Sequence, residues 1–247
     1  MSQNVLREDR DGVATLTLNR PEALNALSPN LFRDLREHID AIRKEPDSVG
    51  VVVLRANGRA FSAGADLKAM QRGELAPYPG FQAETIDALE ALPQPSIAAI
   101  HGYCFTGGME LMLGCDLAIA TESATFADTH SKWGMVPGWN LCQRLMRRVG
   151  PLKAKELSYT RRVISAAEAK AIGLINDLCP DDGLDAAIAS LTAEILGGSS
   201  HSMRGYKFFY NRGQDYTFHA GLDFERREHP GRAPDLKDRV ATFGKSS

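Results

Sequence analysis

The 247-residue sequence predicts an α/β fold of short strands, each followed by a helix, and then an all-helical tail. Two observations carry this reading. Continuous apolar runs of strand length recur at Gly50 to Leu54, Ile97 to Ile100 and Leu117 to Ala120, the pattern of a parallel sheet covered on both faces. From Ser199 onward the strand signals stop, and only helical periodicity remains.

The elements read in chain order as follows. Val13 to Leu18 alternates apolar residues with threonine after the turn Arg10-Asp11-Gly12, a strand with one wet face. Asn19 to Leu27 is a loop. Ser28-Pro29 supplies an N-cap and a first-position proline, and Phe32, Leu35, Ile39 and Ile42 give the apolar face of a helix ending before Pro46. Phe61 to Lys68 reads as a strand-to-helix junction capped by Asp66, and Gly73 to Gly80 as a surface loop. Ile86, Leu89 and Leu92 mark the next helix. Ala124 to Ala127 is a short strand, and a helical face from Leu141 stops at Gly150-Pro151. Val163-Ile164 is a strand. Ser165 and Glu168 form a capping box that opens a helix closed by Gly173. Leu174 to Leu178 is one more strand, and Leu184 to Leu196 a helix. His201 to Arg212, Phe218 to Glu228 and Leu236 to Phe243 are tail helices with aromatic faces.

Composition narrows the function classes. With 43% apolar and 24% charged residues, the chain is of ordinary globular make-up. A net charge of −2 gives no attraction to nucleic acid or to a membrane surface, and no apolar run is long enough to span a bilayer. The start, MSQNVLREDRDG, is polar and unlike a signal peptide. Cys104, Cys115, Cys142 and Cys179 lack metal-ligand spacing and read as buried reduced thiols. A cytoplasmic protein without a metal is expected.

The stretch Ile97 to Ala120 organises the rest. It runs as a buried strand, turns through His101-Gly102, reaches Thr106-Gly107-Gly108 where a helix starts, and leaves as a second apolar strand. Its single glutamate is Glu110. The first amides of a helix lack intrahelical partners and carry the positive end of the dipole. Glycine lets a ligand oxygen approach them. A carboxylate beside such amides suits acid–base chemistry next to a polarised carbonyl. Tight packing at Gly-Gly and a dipole-favoured glutamate explain the same local pattern.

The segments RPEALNAL (20–27), FSAGADLK (61–68), IAAIHGYCFTGGMEL (97–111) and CDLAIATESATFAD (115–128) separate these readings. Together with GMVPGWNLCQRLMRRVG (134–150) and RVISAAEAKAIGLIND (162–177), they make the chain resemble the crotonase superfamily, also called the enoyl-CoA hydratase/isomerase family. The resemblance implies a right-handed ββα spiral over residues 1–198 that binds acyl-CoA. It also implies a C-terminal helical segment, 199–247, that builds homotrimers or hexamers. It places the two carbonyl-polarising amides at Ala65 and Gly107, and CoA contacts around Ala63, Asp66, Leu67 and Lys68. No cofactor is tightly bound, because coenzyme A enters as part of the thioester substrate.

Family hydratases hold one water between two glutamates. The first matches Glu110. At the second position this chain has His130, with Asp128 two residues out of register and expected to point elsewhere. A neutral His130 could accept a hydrogen bond from water, since its ordinary pKa of about 6.5 suits proton transfer near neutrality. Equally, it could be only a structural donor. Trp139 stands where glycine and alanine are usual, and it either narrows the acyl pocket or packs in the core. The expected activity is therefore hydration of a 2-enoyl-CoA. The alternatives are an isomerase or hydrolase using Glu110 alone, or a non-catalytic acyl-CoA-binding member. No serine sits in a nucleophile-like turn with matching His and Asp, which argues against a serine peptidase.

Overall fold

A computed structural model of the chain describes residues 3–243. Six strands form the main sheet in the order β1-β2-β3-β4-β6-β9: Val5–Arg10, Val13–Leu18, Val51–Ala56, Ser96–Ile100, Leu117–Thr121 and Asp177–Cys179. All neighbours are parallel except β1 and β2. A second sheet contains β5 (Tyr103–Phe105), β7 (Thr125–Ala127) and β8 (Ile164–Ser165).

The chain winds as a spiral. Each turn lays one strand in the long sheet, a short extended segment on the second layer, and then a helix. After β2, Leu27 bridges to Ala65 and α1 (Pro29–Lys44) follows. After β3, Ser62 bridges to Cys104 before α2 (Leu67–Gln71) and α3 (Phe81–Glu90). After β4 and β5 comes α4 (Gly107–Leu113). After β6 and β7 the chain makes a 3-10 turn at His130–Trp133 and enters α5 (Leu141–Val149). The second layer therefore stacks Ala65, the start of α4 and the end of β7 in successive turns, and these places carry the candidate chemistry.

Local signals set most boundaries. The Ser28 hydroxyl accepts from the Leu31 amide with Pro29 in the first helical position, and Asp66 caps α2 through the Ala69 amide. The strand β3 is buried on both faces over Val51 to Leu54.

Three elements differ from the sequence expectation. The antiparallel edge strand β1 carries Glu8, Asp9 and Arg10 outward and buries only Val5, so its polarity resembles a loop. Gly150-Pro151 both ends α5 and opens α6 (Pro151–Thr160), with proline in the first turn where no amide is needed. Leu174 and Ile175 are buried, but their amides turn back to the Ala169 carbonyl. The pairing of β9 therefore begins only at Asp177. Beyond them, α7 (Ala166–Ala171) and α8 (Leu184–Gly197) pack on the sheets.

The tail comprises α9 (Ser200–Gly213), α10 (Phe218–Arg227) and α11 (Leu236–Ala241). Its helix α9 is anchored on the spiral by Lys207, whose buried ammonium lies 2.7 Å from Asp116 and donates to the Gln94 carbonyl at 2.9 Å. Phe208, Phe209 and Tyr216 gather around buried Phe224. Cys104, Cys115 and Cys179 are buried free thiols, whereas Cys142, on the outer side of α5, is exposed. Among the described residues, no helix is long and apolar enough to cross a membrane, and no group of three His, Cys, Asp or Glu is placed to hold a metal ion.

Candidate active site

A cleft of ≈ 350 Å³ opens where these turns meet, lined by Leu27, Ala65, Glu110, His130, Met135 and Trp139 among others. A larger cleft of ≈ 570 Å³ lies between α3, α5 and α9, bordered by Arg144, Arg204 and Phe208. It does not contain Glu110 or His130. Size does not decide between them, since a third cleft of ≈ 650 Å³ along α9 exceeds both, and the first alone holds the paired titratable groups with Ala65.

The amide side of the site rests on backbone geometry. Gly64 has φ +100°, and a Cβ there would sit 3.1 Å from the Phe105 carbonyl and 3.4 Å from the Gly107 nitrogen. Only glycine fits, and the Gly64–Ala65 peptide is thereby held against the start of α4. Thr106, just before that helix, has φ 53° and ψ −111°, a conformation that costs a β-branched residue about 1–3 kcal/mol. Its amide bonds the Ala127 carbonyl at 2.8 Å, and its hydroxyl meets that of Thr129 at 2.7 Å. These bonds keep the strained turn in place, and Gly107 follows as the first residue of α4. Among the described residues, the N–H groups of Ala65 and Gly107 donate to no protein acceptor. Two such donors can accept an oxygen that becomes negative.

The acid–base side is built from three buried groups. Glu110, in the first turn of α4, is 1% exposed. Its Oε1 accepts from the Trp139 amide at 2.9 Å and from the Leu141 amide at 3.3 Å. Its Oε2 is left facing His130 Nε2 at 3.4 Å. On the other side of the ring, Nδ1 lies 2.7 Å from Asp128 Oδ1. Burial works against a charged imidazole, but the hydrogen bonds to Asp128 and then Glu110, with the charges of both, outweigh it and push His130 up to about 9. Asp128 is held below the usual carboxylate range: burial opposes this, and the bonds from the His130 ring, Ser158 and the His130 amide prevail. At neutral pH, His130 is therefore an imidazolium that donates, in place of the neutral acceptor considered from sequence.

The structure thus brings Ala65, Gly107, Glu110, His130 and Trp139 together. The Trp139 indole lies over Gly107, where an added Cβ would be 2.4 Å from its ring, and meets Phe32 edge-on with centroids 4.9 Å apart. Narrowing of the pocket and packing are here the same contact. Asp66 lines the cleft, yet its oxygens are occupied by the Ala69 amide and by Arg20 at 2.8 Å. Ala63, Leu67 and Lys68 lie outside the cleft lining, with Ala63 and Lys68 exposed.

Sequence reasoning missed three contributors, Asp128 and the amides of Trp139 and Leu141. Asp128 was expected to point elsewhere, but with only Thr129 between it and His130, the chain leaving β7 brings both side chains to the same point. The available signal was the Asp-x-His spacing itself. The amides of Trp139 and Leu141 left none, because their role depends on how the loop 134–140 closes over α4.

The family model described as enoyl-CoA hydratase/isomerase matches residues 8–236. YngF of Bacillus subtilis (strain 168) is 37% identical over 230 residues, covering 92% of this chain and 88% of YngF. An enoyl-CoA hydratase from Bacillus anthracis, solved as a crystal structure, superposes with TM-score 0.92 at 34% identity, over 98% of this chain and 96% of that one. A Thermobifida fusca YX chain solved in complex with acetoacetyl-CoA superposes with TM-score 0.84 at 27% identity, over 98% of this chain and 96% of that one. With its free amides at Ala65 and Gly107 and its buried Glu110 on this spiral, the chain belongs to the enoyl-CoA hydratase/isomerase family of enzymes.

Proposed function

We propose that the protein adds water to 2-enoyl-CoA thioesters. The observation that supports this reading is the pair of Glu110 Oε2 and His130 Nε2, 3.4 Å apart on the cleft that Ala65 also lines. Atoms at that separation can both reach one water oxygen at about 2.8 Å. The thioester carbonyl would lie on the N–H groups of Ala65 and Gly107, with coenzyme A running outward past Ala63, Asp66, Leu67 and Lys68.

The proton inventory fits hydration. The reaction needs one base and one acid. Glu110 as the base beside a protonated His130 as the acid supplies both. Glu110 takes a proton from the water as its oxygen bonds the β-carbon. The electrons of the double bond move toward the thioester oxygen, where the two amides stabilise the enolate. His130 gives its proton to the α-carbon. Transfer of the proton from Glu110 to His130 restores the site, and one water has been added.

The test is loss of the conjugated-thioester absorbance with crotonyl-CoA, a branched enoyl-CoA and an aromatic enoyl-CoA, followed from pH 6 to pH 10. Turnover on at least one is expected. The imidazolium is present below its raised pKa, so turnover should hold through neutrality and fall as pH rises through about 9. No absorbance loss with any acyl chain would overturn the reading. A protein that moves a double bond in a 3-enoyl-CoA without consuming water would be an isomerase using Glu110 alone.

The assembly follows the same reading. The tail, residues 199–247, is proposed to join spirals of residues 1–198 into a homotrimer or a hexamer. Support comes from large apolar side chains left exposed, Tyr210 at 74% and Phe218 at 76% on the tail and Leu152 at 83% on α6. Sedimentation at micromolar concentration should give a mass of three or six copies, and a monomer would contradict it.

A further inference from the structure

Asp128 has no counterpart in the reaction as written, yet it is 3% exposed and only two residues from the proton donor. One oxygen, Oδ1, meets both the His130 amide at 3.1 Å and the His130 ring Nδ1 at 2.7 Å. The same atom therefore fixes the backbone and the ring of one residue. The intervening Thr129 is tied through its hydroxyl to Thr106, next to the Gly107 amide. The segment 128–130 is thus in register with the carbonyl-binding end of α4.

We propose that Asp128 is the positioning residue for His130, holding Nδ1–H so that Nε2–H is aimed at Glu110 and the shared water. These two contacts suit a ring that carries a proton on both nitrogens. With Nδ1 bonded to Asp128, a neutral ring would present its Nε2 lone pair to Glu110 Oε2 at 3.4 Å, a repulsive contact between two acceptors. A ring between two carboxylates is stable there only as a donor on both sides. The charged groups acting on it are Asp128 from the end of β7 and Glu110 from α4, while α6 contributes the Ser158 side chain against Asp128. Asp128 thus converts a histidine that would titrate near neutrality into an acid held protonated across the neutral range.

The catalytic consequence rests on the hydration reading, so the decisive experiment does not use substrate. Nitrogen-15-labelled histidine is introduced into the full chain, and the His130 ring is identified by the signal missing in His130→Gln. The imidazole titration is followed in wild type, Asp128→Asn and Asp128→Ser. Asparagine keeps the shape and an acceptor for Nδ1–H but removes the charge. The His130 midpoint should fall by about one pH unit or more in Asp128→Asn. The alkaline limb of kcat should fall with it, while KM for the enoyl-CoA stays within about twofold. Should Asp128→Asn not fold, Asp128→Ser is read in the same way. A merely structural Asp128 would lower the melting temperature and leave the midpoint where it is in wild type, and that result overturns the proposal. A wild type that titrates as expected but hydrates no enoyl-CoA would remove the hydration reading and leave the positioning role standing.

Discussion

Glu110→Gln should lower turnover on a 2-enoyl-CoA by about 10²–10⁴-fold, the usual worth of general acid–base catalysis, with KM close to wild type. The substitution keeps the side-chain length. The glutamine carbonyl can still accept the Trp139 and Leu141 amides, which bond Glu110 Oε1 at 2.9 and 3.3 Å. Its NH2 group then falls where Oε2 was, facing His130 Nε2. It cannot take a proton from water, and it opposes a donor with a donor. The variant therefore loses the base and makes the imidazolium less favourable in one step. Steady-state kinetics across pH separate the two losses. A deficit in kcat at every pH reports the base, and an alkaline limb moved to lower pH reports the effect on His130. Wild-type turnover in this variant would remove Glu110 from the reaction.

How much of this was legible in the sequence follows from the range of the interactions involved. The caps at Ser28, Asp66 and Ser165 are three-residue events, and each formed where its spacing placed it. The placement of Gly107 and Glu110 was legible for the same reason, since a helix start with glycine and a first-turn carboxylate is a local arrangement. The polar edge strand β1 was hidden because an edge needs only Val5 inside. The helix α6 was hidden because Gly-Pro ends one helix and begins another with identical chemistry.

The acid–base cluster lies between these cases. Asp128 and His130 are close in sequence, but whether two side chains just past a strand end meet or diverge is set by the 3-10 turn that His130 opens. The remaining partners come from far along the chain. Trp139 and Leu141 reach Glu110 across 29 and 31 residues, and no period or motif records that closure. The protonation state of His130 could not be read either, since it depends on two carboxylates placed by different turns of the spiral.

Gly107→Ala should cost about 10²–10³-fold in kcat, the magnitude seen when one oxyanion donor is lost, without unfolding the protein. The backbone gives no reason for a loss, because Gly107 is not among the positive-φ positions and alanine is the better helix former. The obstacle is the indole. A Cβ on residue 107 would lie 2.4, 3.1 and 3.3 Å from three ring carbons of Trp139, and real Cβ atoms do not come so close. The ring is backed by Phe32, with centroids 4.9 Å apart, so it cannot simply retreat. Either the start of α4 shifts and the amide leaves its position, or the indole swings into the acyl pocket. Trp139→Ala removes the obstacle while keeping the main-chain N–H that holds Glu110. The double variant Gly107→Ala with Trp139→Ala should therefore regain about tenfold or more over Gly107→Ala alone, a coupling expected only of residues in contact. If the two losses simply multiply, Trp139 is not what confines residue 107 to glycine, and the amide of Gly107 is sensitive to its own side chain for some other reason.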